Sequence, residues 1–235
     1  AQELLEQIKT EKEKLVKDGK LKKSALTDSV IYKGDDNKYY EQVGKSDKEI
    51  TEEIAFDLPN GWSWCRLKDI CSIFTGATFK KEETVTTKEG VRILRGGNIS
   101  PFELRIKDDD IFLTKDKVKE DIILKENDIL TPAVTSLENI GKMVRVNSDM
   151  PNTTVGGFVF IIRLYLKNQW LSKYILYLLS SPFMIDFMKS ITNKSGQAFY
   201  NIGKERLSTA LLPIPSLAEQ HRIVAQIEKL FEQLR

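Results

Sequence analysis

The chain has 235 residues, and its 36 lysine and arginine residues nearly balance its 34 acidic residues, giving a formal net charge of +2. This balance does not by itself indicate a polyanionic partner, so a nucleic-acid site would require local segregation of charge. The composition is 41% hydrophobic, enough for the core of one large or two small domains. The two cysteines exclude a disulfide framework, and no apolar run is long enough to span a bilayer. With no leader sequence, we expect a cytoplasmic protein without a membrane partner.

The first 23 residues are highly charged and predict a helix that ends near Gly19. Leu5, Ile8 and Leu15 lie at spacings compatible with a heptad. No initiator methionine and no helix-capping signal precede this segment. We therefore expect it to continue a helix of a longer protein.

Residues 24–57 form a polar segment that we interpret as a connector. Within it, VIYKGDDNKYYEQV predicts a β-hairpin with its turn at residues 34–37. A compact domain is expected over residues 58–213, beginning at LPNGWSWCRL, where a turn precedes alternating large apolar residues.

The middle of this domain contains short β-branched and aromatic segments bounded by turn-forming residues: VRILRGGNI, DIFLT, NDILT, GKMVRV and GGFVFIIRLYL. Residues 168–180 predict a buried helix, and Pro182 predicts the start of another. The expected fold class is α+β, with a curved mixed or antiparallel sheet, short helices and coiled-coil-like helices at both termini that pack antiparallel.

The last segment, residues 214–235, begins with a strong helix-start signal. Ser216 and Glu219 have the spacing of a capping box, in which each side chain bonds to the backbone N–H of the other residue. Steps of four, three and four residues then separate the apolar positions, as in a narrow coiled-coil seam. The predicted partner-helix seam comprises Leu5, Ile8, Leu15, Ile223, Ile227, Leu230 and Leu234.

Catalytic motifs are absent from the sequence. It has neither a glycine-rich dinucleotide fingerprint nor a Walker phosphate loop, and its only histidine, His221, lies on the predicted last helix. The run Asp108 to Asp110 is interpreted as a solvated turn, since adjacent side chains point in different directions. Cys65 and Cys71 are expected to fill the core. We therefore expect no catalytic residue and no metal site.

Four glycine-containing loops instead carry amides, hydroxyls and cations: loop one (residues 74–81), loop two (93–100), loop three (131–142) and loop four (193–201). Glycine permits close backbone approach, Ser, Thr and Lys hold phosphates, and Arg, Asn and Gln can pair with base edges. Taken singly, each loop is better explained as an ordinary bulge, turn or solvated surface. The candidate DNA contacts are Thr75, Gly76, Thr78, Lys80, Lys81, Lys88, Arg95, Gly96, Gly97, Asn98, Thr135, Ser136, Lys194, Ser195, Gln197, Tyr200 and Asn201.

In order along the chain, these segments resemble the specificity subunit of type I restriction-modification enzymes. LPNGWSWCRLKDI resembles the opening strand of a target recognition domain, and LKENDILTP with IGKMVRV is similar to a family pattern in which glycine usually stands at Asn127. SGQAFYNIGKERLSTALLPIPSLAEQHRIVAQIEKL is the most specific part. On this resemblance, residues 1–23 end a central spacer helix and residues 214–235 begin a distal one.

The resemblance implies a non-catalytic reader of one half of a split double-stranded DNA site. Its partners would be methyltransferase subunits and, through them, restriction subunits. The chain itself would need no cofactor, because S-adenosylmethionine would belong to the methyltransferase. The alternative is a helical protein-interaction scaffold that does not bind DNA. A complete DNA methyltransferase is disfavoured because the sequence has no N-P-P-[FY] or D-P-P-Y motif.

Overall fold

The computed structural model describes residues 1–85, 89–196 and 198–234. The chain divides into two compact units. The first unit comprises Ala1–Cys71, Tyr165–Tyr174 and Ser208–Arg235, and the second comprises Ser72–Leu164 and Ile175–Leu207. Both helices and strands are present, so the predicted α+β class is confirmed. The strands are divided among several small sheets rather than forming one curved sheet.

The α-helices of the described residues are α1 (Gln2–Lys17), α2 (Leu67–Ile70), α3 (Gln169–Leu179), α4 (Pro182–Ser190), α5 (Lys204–Ser208) and α6 (Leu217–Gln233). Among these residues, no helix combines the length and apolar character needed to cross a membrane.

The strands are β1 (Ser29–Lys33), β2 (Tyr39–Val43), β3 (Ser46–Glu49), β4 (Ser63–Arg66), β5 (Cys71–Thr75), β6 (Thr84–Val85), β7 (Val91–Leu94), β8 (Ile99–Ser100), β9 (Glu103–Leu104), β10 (Ile111–Leu113), β11 (Ile129–Pro132), β12 (Val134–Thr135), β13 (Val144–Arg145), β14 (Thr153–Val155), β15 (Val159–Leu164), β16 (Thr192–Ser195), β17 (Phe199–Ile202) and β18 (Leu211–Ile214).

In the first unit, β1 and β2 form the predicted hairpin, with Asn37 in a left-handed conformation (φ 63°) at its turn. The hairpin prediction is confirmed, and β3 adds a third antiparallel strand that the sequence did not indicate. Strand β4 pairs antiparallel with β18, which follows it by more than 140 residues. Ile50 from the connector packs with Trp64 and Leu211 of this pair in one apolar cluster. The connector therefore belongs to the core of the first unit.

Helix α1 ends close to the predicted residue. Gly19 has φ 70°, and its N–H donates to the carbonyl of Val16 (3.1 Å), as expected where a glycine ends a helix. The buried positions of α1 are Leu4, Ile8 and Lys12, spaced by four residues. The buried stripe therefore differs from the predicted seam.

In the second unit, two four-stranded sheets both contribute residues to one apolar core. Their strand orders are β14-β7-β10-β6 and β13-β11-β15-β5, and the β14–β7 pair is parallel. A three-stranded sheet (β12-β17-β16) and the β8–β9 pair complete the unit. The core contains residues from both larger sheets, including Ile93, Leu130 and Ile161. Loops one to four leave the ends of these strands.

The starts of α4 and α6 follow the sequence signals. Ser181 caps α4 by accepting a hydrogen bond from Met184 N (3.4 Å), and Pro182 is its first residue. The Ser216 hydroxyl accepts from Glu219 N (3.3 Å), so α6 starts at Leu217 as predicted. The Glu219 carboxylate accepts hydrogen bonds from Arg222 (2.6 and 2.8 Å). The serine half of the predicted capping box is therefore observed, whereas the glutamate pairs within the helix.

Candidate nucleic-acid interface

Loop one presents exposed polar residues next to a buried glycine. Thr75, Thr78, Lys80 and Lys81 are exposed. A Cβ at Gly76 would lie 2.2 Å from the carbonyl oxygen of Val155, so no other residue fits without movement of the backbone. The neighbouring N–H of Ala77 donates to the same carbonyl (2.8 Å). Gly76 is thus explained by close packing of two chain segments, and the polar residues around it face solvent.

In loop two, Arg95 and Asn98 have different environments. The exposed Arg95 guanidinium reaches Asp109, donating to its carbonyl (3.2 Å) and lying 3.4 Å from its carboxylate. Asn98 is only 1% exposed. Its Oδ1 accepts from Arg95 N (2.8 Å) and its Nδ2 donates to the carbonyl of Arg105 (2.8 Å). Burial and these internal bonds indicate that Asn98 supports the loop, and its direct contact with DNA stays a prediction.

The base of loop two is held by Asp110, which the sequence suggested to be part of a solvated turn. Its side chain is buried and accepts from Asn98 Nδ2 (2.6 Å), Arg92 Nη1 (2.8 Å) and Lys107 N (2.9 Å). Burial raises the pKa of Asp110, but the hydrogen bonds from Lys107, Asn98 and Arg92 outweigh it, so the pKa lies below its usual value. Only Asp108 and Asp109 of the acidic run are exposed, as predicted for a turn.

Loops three and four come together in one small sheet. Thr135 of β12 lies opposite Tyr200 of β17, and Tyr200 lies opposite Lys194 of β16. Lys194 and Asn201 are exposed, Tyr200 is half-buried and Thr135 is buried. Three cross-strand neighbours that were predicted separately are therefore adjacent in the fold.

The remaining candidates have more local environments. The Ser136 hydroxyl donates to Glu138 (2.6 Å) and accepts from Asn139 (2.7 Å) within its own turn. Gly97 is exposed and Gly96 half-buried, and a Cβ at Gly97 would lie 3.4 Å from Lys107 Nζ. Lys88, Gln197 and the side chain of Ser195 lie outside the described residues.

A turn that the sequence reading did not single out links the loops. This turn (residues 156–159) joins β14 to β15. Gly156 N donates to Leu94 O of loop two (2.8 Å), and Gly76 N of loop one donates to Val159 O (3.2 Å). Ala133 N of loop three donates to Phe158 O (2.8 Å), and Ala133 O accepts from Ile202 N (2.9 Å) just after loop four. The paired glycines before the strand FVFIIRL were the available signal for this turn.

The two cysteines and the histidine lie in the first unit. Cys65 and Cys71 are free and buried, and burial raises the pKa of both thiols, which makes them poor nucleophiles. His221 is exposed on α6, with its ring 4.0 Å from that of Trp170. Within residues 1–85, 89–196 and 198–234, no three His, Cys, Asp or Glu side chains cluster as metal ligands.

The predicted seam residues differ in exposure. Ile8 is buried, whereas Leu5, Leu15, Ile223 and Ile227 are half-buried. Leu230 and Leu234 are exposed, Leu234 to 83%. The fully buried positions of α6 are Gln220 and Val224. Antiparallel packing of α1 on α6 stays a prediction, which a cross-link between cysteines at positions 8 and 227 would test.

Comparisons with known proteins all point to one family. The family model described as type I restriction modification DNA specificity domain matches residues 59–235. The specificity subunit of the type I restriction enzyme EcoAI from Escherichia coli is 29% identical over 250 aligned residues, covering 99% of this chain and 36% of that subunit. The EcoEI specificity subunit, also from Escherichia coli, is 24% identical over 99% of this chain and 36% of its own length. The chain spans 36% of the length of these two relatives.

Two solved structures share the fold. The HsdS subunit from Thermoanaerobacter tengcongensis has a TM-score of 0.52 and 23% identity, covering 76% of this chain and 39% of that one. A chain from a study of complex assembly and conformational transition of the type I R-M system has a TM-score of 0.57 and 21% identity, over 76% of this chain and 40% of its own. The resemblance inferred from the motifs is confirmed. Because the family model matches most of its length, this chain belongs to the type I restriction modification DNA specificity domain family.

Proposed function

We propose that this chain recognises one half of a split double-stranded DNA target and has no catalytic activity of its own. The observation that carries the proposal is that polar loops one, two and three bond to the 156–159 turn and that loop four pairs with loop three, within the region matched by the family model. Residues 58–213 are the proposed recognition domain, and the DNA-contacting face lies in its second-unit part.

The proposed contacts fall into two classes. Lys80, Lys81 and Lys194 are exposed and suit phosphate oxygens, as do the hydroxyls of Thr75 and Thr78. Arg95 and Asn201 are exposed and can pair with base edges, and the half-buried Tyr200 is a further proposed contact. Gly96 and Gly97 let the duplex approach the backbone, while Asn98 and Thr135 support the loops from inside. Lys88, Ser136, Ser195 and Gln197 remain proposed contacts from the sequence.

The proposed partners are methyltransferase subunits and, through them, restriction subunits. The specificity-subunit relatives support this assignment, and the exposed Leu230 and Leu234 of α6 offer an apolar edge to a partner helix. Leu230→Asp should reduce co-purification with the methyltransferase subunit without loss of DNA binding by the chain. S-adenosylmethionine would be held by that partner, so the purified chain should show no stoichiometric binding of it by calorimetry.

DNA binding is tested with duplexes that have a randomised centre, from which the chain selects its preferred sequence. The selected duplex and a scrambled duplex of equal composition are then titrated over a salt series. Phosphate contacts release counterions, so affinity should fall steeply with salt, and the selected duplex should bind more tightly. Binding that is absent, or that shows no preference between the duplexes, would contradict the proposal and favour the scaffold alternative.

Substitutions separate the two classes of contact. Arg95→Ala should cost about 1 to 3 kcal/mol on the selected duplex and relax preference at one position, if the guanidinium pairs with a base. Lys80→Ala should weaken both duplexes alike and lower the salt slope by about one. Lys45→Ala, an exposed lysine in the hairpin sheet of the first unit, is the matched control and should leave binding unchanged.

A further inference from the structure

Phe158 is the most exposed aromatic side chain of the described residues, at 72%. It lies at the tip of the 156–159 turn, after Gly157 and before the buried strand β15. Single exposed apolar side chains are common and by themselves indicate nothing. The location of Phe158 distinguishes it, because its turn is the segment to which loops one, two and three of the candidate interface are bonded.

The backbone beneath Phe158 is fixed from several sides. Its carbonyl accepts from Ala133 N (2.8 Å) and Val134 N (3.4 Å), and Val159 N closes the turn onto Gly156 O (2.9 Å). Gly157 fits closely against loop one, since a Cβ there would lie 3.0 Å from Thr78 Oγ1. Phe158 is thus presented on an anchored turn, and ordering it on binding would cost little backbone entropy.

The residues around the turn have complementary chemistry. Thr78 and Arg95 belong to the loops that the turn connects, and both are exposed and polar. Such groups bind phosphates and base edges by hydrogen bonds, which a phenyl ring cannot do. A phenyl ring can contact the methyl group of thymine or the face of a partly unstacked base.

We propose that Phe158 makes an apolar contact with a base of the bound duplex and contributes to sequence preference. This inference rests on the proposed DNA-recognition function. It assigns a specific role to a residue outside the glycine-and-cation pattern of loops one to four. Because the contact involves no charge, its loss should release no counterion and leave the salt dependence unchanged.

The test compares Phe158→Ala, Phe158→Leu and the parent chain on the selected and scrambled duplexes. Phe158→Ala should bind the selected duplex roughly 10- to 100-fold more weakly, with the scrambled duplex and the salt slope unaffected. Phe158→Leu keeps an apolar side chain and should lose less affinity for the selected duplex than Phe158→Ala. Phe183→Ala, at an exposed phenylalanine of α4, is the control and should bind like the parent. Unchanged circular dichroism and Tm would show that the variants fold.

Two modified duplexes identify the contacted part of the base. Replacing thymine by uracil removes the methyl group. If Phe158 contacts that methyl group, the replacement should lower the affinity of the parent chain but not that of Phe158→Ala. A contact with an unstacked face predicts a rise in 2-aminopurine fluorescence on binding of the parent but not of Phe158→Ala. The inference is overturned if neither signal depends on Phe158, or if Phe158→Ala weakens both duplexes equally or not at all. If the parent chain itself shows no preference for the selected duplex, the proposed function fails. If the parent shows the preference and the Phe158 variants bind both duplexes like the parent, this inference alone fails.

Discussion

Among the described residues, the first unit buries the charged side chains of Lys12, Glu41, Arg66 and Asp69 beside its apolar ones, whereas the second unit buries those of Asp110 and Asp128. In the first unit, Lys12 is 1% exposed and pairs with Asp28, and Arg66 binds both Glu41 and Glu53. In the second, side chains such as Ile93, Leu130 and Ile161 are completely buried in one cluster. Aliphatic cores tolerate conservative exchange, but a buried charge that loses its partner is strongly destabilising. The two units should therefore respond differently to removal of a charge.

Where the second unit does bury charge, the charge supports a loop or strand end. Asp110 fixes the base of loop two, and Asp128 receives two hydrogen bonds from Arg163 (2.6 and 2.7 Å). Asp128 also accepts from the N–H of Lys125 (2.8 Å). These contacts hold irregular backbone in place beside the aliphatic core. Loss of one of them should thus affect local geometry as well as stability.

Glu41→Gln should give the largest effect, because it removes the main charge partner of buried Arg66. Two Arg66 nitrogens donate to Glu41 at 2.6 and 3.1 Å, and Glu53 remains as a second partner at 2.8 Å. We expect the free energy of unfolding to fall by about 3 kcal/mol, measured by urea denaturation. The control Glu49→Gln breaks the exposed pair with Lys38 and should cost much less, because water screens this pair. Equal losses in the two variants would contradict the assigned difference between buried and exposed pairs.

Asp110→Asn should have an intermediate effect in the second unit. In the variant, an amide replaces the carboxylate that accepts a hydrogen bond from Arg92, and its NH₂ group faces other N–H donors. We expect the free energy of unfolding to fall by about 1 to 3 kcal/mol at neutral pH. Because the folded-state pKa of Asp110 is lowered, its stabilisation is present above the unfolded pKa of about 4 and is lost as pH falls through the folded pKa. The stability difference between parent and variant should therefore narrow below about pH 4. A difference that stays constant from neutral to acidic pH would show that the carboxylate charge is not responsible.

Asp110→Asn should affect DNA sequence preference as well as stability. Asn98 bonds to Asp110, and its Oδ1 fixes the N–H of Arg95. Asp110→Asn should consequently weaken preference for the selected duplex without changing the salt slope, since no phosphate contact is removed.

Local features of the fold could be predicted from sequence, but features that depend on distant partners could not. The hairpin at residues 34–37, the cap at Ser216 and the strand FVFIIRL each depend on neighbouring residues. By contrast, the burial of Asn98 depends on Asp110, twelve residues later, and that of Lys12 on Asp28. Neither polar residue carries a local sign of burial.

The candidate interface shows the same division. Each loop could be recognised by its own glycines and polar residues. Their meeting at the 156–159 turn depends on the parallel pairing of β14 with β7 and on the pairing of β12 with β17. These pairings join segments far apart in sequence, which periodicity within one segment cannot indicate. The position of Phe158 among the loops consequently cannot be predicted from sequence, although Gly156 and Gly157 before it indicate a turn.

Lys173→Gln should give the smallest effect, because its ion pair is partly exposed. Lys173 Nζ lies 2.8 Å from Glu228 Oε1 of α6 and 5.1 Å from the centre of the Trp170 ring. Water screens both interactions, so we expect a loss of about 0.5 to 1 kcal/mol at low salt and less at high salt. Lys173→Arg keeps the charge and is the control, expected to remain close to the parent. Urea denaturation of both variants at two salt concentrations would measure this difference. A loss as large as that of Glu41→Gln, or one that does not depend on salt, would mean that exposed and buried ion pairs contribute alike to the first unit.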